Sequence, residues 1–283
     1  MDWKEFRATY APNRPLIVAH RGVPMMEPEN TLASFKRALD QGADALETDL
    51  RFTRDNVLVL HHDATLERMT DGTGPVRAHT LAELKQLRTR NPNGAWSDER
   101  IPTLLELITL TQAKVPLLLE LKDPLFTNPA HARVLADLLA ATGMTSSVAI
   151  ASFHFDYVQG VQAVAPQIPM GYITLKDLKP KPGAQILGPL WPILLLNPWY
   201  METARAQGSI VAPLDPNPEA RIAWYLSLGV DAFLANYPAA VRRALDAATA
   251  TTQRSILYPV RLTTDRMQVG RHGASLSHWK PVC

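Results

Sequence analysis

Apolar and polar positions along the chain fall into two alternating patterns. Short apolar runs with no helical period occur at Leu16–Ala19, Ala45–Leu50, Val115–Leu121, Ser147–Phe153, Met170–Thr174, Pro192–Asn197, Ser209–Leu214 and Asp231–Asn236. Between them lie longer stretches such as Asn30–Gln41, Thr103–Lys114, Ala130–Thr142, Phe155–Val164, Glu202–Gln207 and Pro218–Leu228. There, apolar residues recur every three or four positions, as in a helix packed on one face. Strands alternating with helices predict a parallel sheet of the α/β class. Eight such strands predict a closed (β/α)8 TIM barrel, which the 283 residues accommodate with room for an insertion.

Two regions break the rhythm. Residues 54–100 are too long for one connection between a strand and a helix. They contain a strand-like Val57–Leu60, a turn at Asp71-Gly72-Thr73-Gly74 and a helical Leu81–Arg88, and are read as an insertion after strand two. From Thr251 onward the periodicity dissolves. The expected organisation is therefore an N-terminal extension over 1–14, a barrel over 15–250, and a C-terminal tail over 251–283. The tail carries Arg254, Arg261, Arg266, Arg271 and Lys280 against Asp265. It is read as a solvated extension, with contact to an anionic surface or to a second copy in a homodimer as the alternatives.

Composition changes the picture mainly by exclusion. The 29 Lys and Arg against 27 Asp and Glu leave a net charge of +2, too little for nucleic-acid or membrane binding by bulk electrostatics. One cysteine, Cys283, leaves no pair for an intrachain disulfide and no Cys-based metal site. The first fifteen residues carry charges and no apolar core, so no secretory signal is read there. The longest apolar stretch, Leu190–Leu196, is interrupted by Pro192 and falls short of the roughly 20 residues that span a bilayer. The expected protein has no transmembrane segment and is cytoplasmic.

In such a barrel, chemistry sits at the C-terminal ends of the strands. Strand one ends in Ala19-His20-Arg21-Gly22, and strand two carries Glu47-Thr48-Asp49. Residues two apart in a strand share a face, so Glu47 and Asp49 point the same way, within an apolar frame. Strand three adds Glu120, with Lys122 two residues on. Carboxylates forced together repel unless a cation lies between them. Three of them suit a hard divalent cation, Mg²⁺ or Ca²⁺, and the alternative is a metal-free network with Arg21 and Lys122. His61-His62-Asp63 follows Val57–Leu60, and alternation lets only one of the two histidines face the pocket. Cations, a metal and imidazoles at one rim suit a phosphate ester.

His20-Arg21-Gly22, Pro28-Glu29-Asn30-Thr31-Leu32, Glu47-Thr48-Asp49 and His62-Asp63 with Leu66-Glu67-Arg68 follow one another in order. Ile101-Pro102-Thr103-Leu104, Glu120-Leu121-Lys122 and Ala151-Ser152-Phe153 continue the series. This run resembles the glycerophosphodiester phosphodiesterase family over residues 15–245. The resemblance implies a (β/α)8 barrel with an insertion after strand two. It also implies metal ligands at Glu47, Asp49 and Glu120, a catalytic pair at His20 and His62, and phosphate-contacting cations at Arg21 and Lys122. The implied reaction cleaves a glycerophosphodiester to glycerol 3-phosphate and an alcohol, with a cyclic phosphate proposed as intermediate. His61 has no counterpart in the family and is read as the outward neighbour.

The chain departs from the family pattern at two strand ends. Ala212-Pro213-Leu214-Asp215 stands near strand seven, where an aromatic, Thr, Val and Asn are usual, and Asn236 stands where an Asp is usual. Asn197-Pro198-Trp199-Tyr200 is read as the end of strand six, with Trp199 as a substitute aromatic wall for the substrate. Two other functions compete. A phospholipase acting on lysophospholipid or phosphatidylinositol needs an apolar rim, for which Trp191, Trp199 and Phe126 are candidates. A catalytically silent barrel binding a phosphorylated ligand needs the cations but not two histidines and three acids.

Overall fold

Strand β1 (Leu16–His20) pairs in parallel with β2 (Ala45–Phe52) on one side and with β9 (Ala232–Ala235) on the other. From β2 the sheet continues through β4 (Leu117–Leu121), β5 (Val148–Ser152), β6 (Met170–Thr174), β7 (Ile186–Pro189) and β8 (Ile210–Val211), each parallel to the last. The seam between β8 and β9 is spanned by Asp231. Its N–H donates to the Val211 carbonyl at 2.9 Å, and its carboxylate accepts the Val211 N–H at 2.9 Å. Eight parallel strands thus form a nearly closed (β/α)8 barrel. The computed structural model describes residues 11–257, with side chains to residue 250.

The helices are α1 (Leu32–Asp40), α2 (Leu81–Leu84), α3 (Leu104–Leu110), α4 (Pro129–Ala141), α5 (Phe155–Gln162), α6 (Pro192–Leu196), α7 (Tyr200–Ala206), α8 (Ile222–Leu228) and α9 (Pro238–Leu257). Strand alternation sorts the apolar residues into two shells. Ile17, Leu46, Leu119, Ile150, Leu187 and Phe233 are buried on the outer faces that pack on helices. Leu16, Val18, Leu118, Ile173, Ile186, Ile210 and Leu234 fill the barrel interior. Ala11 joins that interior cluster, and Arg14 pairs with Asp44 at 2.6 Å. The end of the expected N-terminal extension is therefore tied to the barrel.

Strand β3 (Leu58–Leu60) turns back antiparallel to the end of β2. Behind it the insertion builds a small core of its own from Val59, Leu66, Val76, Leu84 and Ile101. Its helix is shorter than expected: α2 is a single turn, started by a capping box between Thr80 and Glu83.

One strand differs from the sequence reading. The expected sixth strand, Pro192–Asn197, is helix α6, and the true sixth barrel strand is Ile186–Pro189. A continuous apolar run of four to eight residues does not distinguish strand from buried helix, and Pro192 at the first turn favours the helix. Gly188 and Pro189 disguise the real strand as a turn. At the other end, α9 continues to Leu257, past the expected end of pattern at Thr251. The remainder of the expected tail lies outside the described residues. Among the described residues, no helix is long and apolar enough to cross a membrane.

Candidate active site

Inward residues 16, 18 and 20 of β1 place His20 at the mouth of the barrel, above the apolar interior. The chain then turns sharply, with positive φ at Arg21 (55°) and Gly22 (86°). A Cβ at Gly22 would stand 2.3 Å from the Ser34 hydroxyl oxygen, so only glycine fits. Ser34 uses that contact, accepting the Val23 N–H at 2.8 Å and donating to the Arg21 carbonyl at 3.1 Å. Asn30, also at positive φ (58°), donates to Asp49 at 2.8 Å and accepts the Thr48 hydroxyl at 2.8 Å.

Register brings the acids together. His20 pairs with Glu47, and Asp49 pairs with Glu120. Glu47, Asp49 and Glu120 are all buried, and one oxygen from each lies within 4.8 Å of the others. Two cations serve the three carboxylates. Arg21 Nε lies 3.0 Å from Asp49, and Lys122 Nζ lies 3.4 Å from Asp49 and 2.5 Å from Glu120. Glu47 accepts the Arg21 backbone N–H at 3.1 Å through one oxygen, while Oε1, fully buried, has no hydrogen-bond partner.

The protonation equilibria follow from this imbalance. Burial and the neighbouring Asp49 and Glu120 charges push Glu47 well above the usual carboxylate range. Burial, then Asp49, push Glu120 up to about 7 despite Lys122. Burial opposes ionisation of Asp49 too, but Arg21 and Lys122 hold it at about 2. A buried carboxylate oxygen without a donor, within a set of oxygens only, fits a hard divalent cation and not zinc.

The two histidines are fixed by different partners. His20 Nδ1 lies 2.7 Å from Asn236 Oδ1, and Asn236 Nδ2 donates to the Pro216 carbonyl at 3.2 Å. The amide oxygen can only accept, so Nδ1 carries the proton and Nε2 keeps its lone pair. That Nε2 is 3.9 Å from Glu47. Burial, reinforced by Arg21, lowers His20 to about 4. His62 Nδ1 lies 2.6 Å from the Asp63 carboxylate, which leaves its Nε2 as the free nitrogen as well. Burial, followed by Arg21 and Lys122 among the charges that oppose protonation, lowers His62.

Four residues around this set were not singled out for a role by sequence reasoning. Asp63 orients His62 and is itself held by Arg68 at 2.5 Å. Glu29 bridges Arg68 (2.7 Å) and Arg21 (3.3 Å). Arg51 donates to the His62 carbonyl at 2.7 and 3.0 Å and to the Lys122 carbonyl at 2.9 Å, locking two strand ends together. Asn236, noted only as a departure, is the partner of His20. Glu29 and Asp63 stood inside recognised motifs. Arg51 offered no signal, because its contacts are to backbone carbonyls remote in sequence.

Other expected residues land elsewhere. His61 turns away from the pocket, but it is buried in the insertion, with Nε2 3.0 Å from the Thr65 carbonyl, rather than facing outward. Phe126 is fully buried against Phe52, and Trp191 lies under Arg221, 4.0 Å from guanidinium to ring centre. Neither is free to form an apolar rim. Trp199 does not end a strand; it precedes α7, on the loop side of the barrel mouth, and is 68% exposed.

This barrel and its mouth correspond to a known class of enzyme. Residues 20–240 match the sequence profile of the Glycerophosphoryl diester phosphodiesterase family, and the chain belongs to that family. It is thus a phosphoric diester hydrolase by class. A glycerophosphodiester phosphodiesterase of Caldanaerobacter subterraneus is 36% identical over 66% of this chain and 71% of its own length. One of Bacillus subtilis is 29% identical over 81% of this chain and 85% of its own. Among solved structures, an Oleispira antarctica phosphodiesterase in complex with the product sn-glycerol-3-phosphate superposes with a TM-score of 0.74. It is 29% identical and covers 82% of this chain and 97% of its own.

Proposed function

We propose that this chain hydrolyses glycerophosphodiesters to glycerol 3-phosphate and an alcohol, using a divalent cation held by Glu47, Asp49 and Glu120. The observation that carries the reading is the buried trio of carboxylates between His20 and Lys122, with Glu47 Oε1 left without a donor. Bound there, Mg²⁺ or Ca²⁺ would supply charge for the phosphoryl oxygens. Arg21 and Lys122 add fixed positive charge on the same side, stabilising charge that builds up as the ester breaks. His20 and His62 each present a neutral Nε2. One takes the proton of the glycerol hydroxyl as its oxygen bonds to phosphorus, and the other, protonated from solvent, gives its proton to the alcohol oxygen as that P–O bond breaks. Water then opens the cyclic phosphate with both proton transfers reversed, leaving glycerol 3-phosphate. Asn236 and Asp63 keep both rings in the tautomer this requires.

The test is release of glycerol 3-phosphate from glycerophosphocholine and glycerophosphoethanolamine, with and without EDTA. Activity should vanish in EDTA and return with Mg²⁺ or Ca²⁺, and Glu120→Gln should lower metal affinity and turnover together. Full activity in excess chelator would overturn the metal assignment. Lysophospholipid is a second substrate class, favoured by the exposed leucines and Trp199 beside the mouth. The same assay with a lysophospholipid separates the two.

A further inference from the structure

Nine large apolar side chains are prominently exposed among the described residues, and five of them lie on two neighbouring segments. Leu175 and Leu178 follow β6, and Leu195, Leu196 and Trp199 follow β7. Asn197 Nδ2 donates to the Leu178 carbonyl at 2.7 Å, so the two segments form one ledge. The ledge stands at the C-terminal ends of the strands, the same end as His20 and the three acids. Exposed apolar residues scattered singly need no explanation, whereas a contiguous group marks an interaction surface.

Its charge selects the partner. Lys176, Lys179 and Lys181 interleave with the leucines. Lys176 and Lys179 are exposed, while Lys181 lies over Phe155 and Tyr172. Of the nearby acids, Asp215 is paired with Arg221, while Asp177 accepts only the neutral Tyr172 hydroxyl at 2.6 Å and offsets one of the three lysines. Glu202, in the first turn of α7, is the remaining exposed carboxylate on these segments. Leucines flanked by free lysines, with a tryptophan at the edge, are the composition that enters the headgroup region of a bilayer.

We infer that this ledge docks the barrel mouth on an anionic lipid surface. Two other occupants fit less well. A second copy related by a two-fold axis would set Lys176 and Lys179 against like charges. The basic C-terminal segment has the same sign of charge as the ledge. Docking does not depend on the activity proposed above. Its consequence, that diester substrates are drawn from the surface, does.

The experiment is flotation of the full chain with vesicles of phosphatidylcholine alone or mixed equally with phosphatidylglycerol, at low and high salt. Turnover of soluble glycerophosphoethanolamine is read in parallel. Binding should require the anionic lipid and weaken at high salt. Each lysine near such a surface contributes a factor of about five, so Lys176→Glu with Lys179→Glu should lower partitioning by at least about thirtyfold. Leu195→Ser with Leu196→Ser should lower it by about tenfold or more. Both variants should turn over the soluble diester within about twofold of wild type, which shows them folded. Failure of the wild type to float with anionic vesicles overturns the inference. So does flotation undiminished in both variants, which would assign binding to the tail, or a dimer that the leucine variant dissolves. Flotation without diester turnover would leave the docking intact and refute the activity instead.

Discussion

At the scale of single residues, the site is a contest between burial and charge. Burial, then Asp49 and Glu120, push Glu47 well above the usual carboxylate range, and burial, then Asp49, push Glu120 up to about 7, so without metal the site takes up protons as pH falls through about 7. A cation must displace those protons. Affinity for Mg²⁺ or Ca²⁺ should therefore rise as pH increases through about 7 and level off above it, with protons released on binding. Calorimetric titration at several pH values in buffers of different ionisation enthalpy measures both. A pH-independent affinity between 6 and 8 would mean that all three carboxylates are already ionised. The histidines make the second case. His20→Ala and His62→Ala should each lower kcat by about 10²–10⁴, the usual worth of an acid–base group. His61→Ala, which removes a buried contact to Thr65, should lower the melting temperature and leave kcat within a few fold. Equal damage to kcat from His61→Ala and His62→Ala would exchange their places. Much of this site was legible because strand alternation and short motifs name inward residues directly. Orienting partners such as Asn236 and Arg51 were not, because a hydrogen bond across 216 residues leaves no local pattern.

At the scale of elements, seven of eight barrel strands announced themselves, since a parallel strand buried on both faces is an uninterrupted apolar run. The exception is informative. Ile186–Pro189 contains a glycine and a proline, and the more apolar Pro192–Leu196 nearby is a helix. Pairing with β6 and β8 decides for the first segment, and that is a tertiary fact. The insertion shows the same limit: Leu81–Arg88 has helical spacing, yet only one turn forms over a core of five residues. The turn after β1 is where element geometry controls chemistry. Gly22→Ala must hold a left-handed backbone, costing about 1–2 kcal/mol, and must also displace Ser34, whose backbone carbon would lie 2.6 Å from the new Cβ. Because Arg21 and His20 precede it directly, the variant should lose both several degrees of melting temperature and most of its turnover. A folded Gly22→Ala with wild-type kcat would show that the turn can relax without moving them.

At the scale of the whole molecule, the barrel mouth is asymmetric: β1, β2 and β4 supply the charged groups, while β5 to β9 line an apolar half. Beneath that half, Leu118, Ala151, Ile173, Gly188, Ala212, Leu214 and Leu234 enclose a cavity of about 20 Å³, room for one water. An alcohol headgroup larger than a water does not fit that volume, which leaves groups at the rim to discriminate between alcohols. A choline group is recognised through aromatic faces, and most faces near this rim are already taken by cations of the chain. Lys122 lies 5.3 Å from the ring of Phe153, Lys181 covers Phe155 and Tyr172, Arg221 covers Trp191 and Arg243 lies 5.5 Å from Tyr237. Ala212 offers no ring at all. Trp199, 68% exposed, has no cation over it among the described residues. One exposed cation–π contact is worth about 0.5–2 kcal/mol, or two- to thirtyfold. Glycerophosphocholine should therefore be preferred over glycerophosphoethanolamine by no more than that factor in kcat/KM, and Trp199→Ala should bring the ratio close to one. A strong choline preference that survives Trp199→Ala would place the headgroup against some other wall of the mouth.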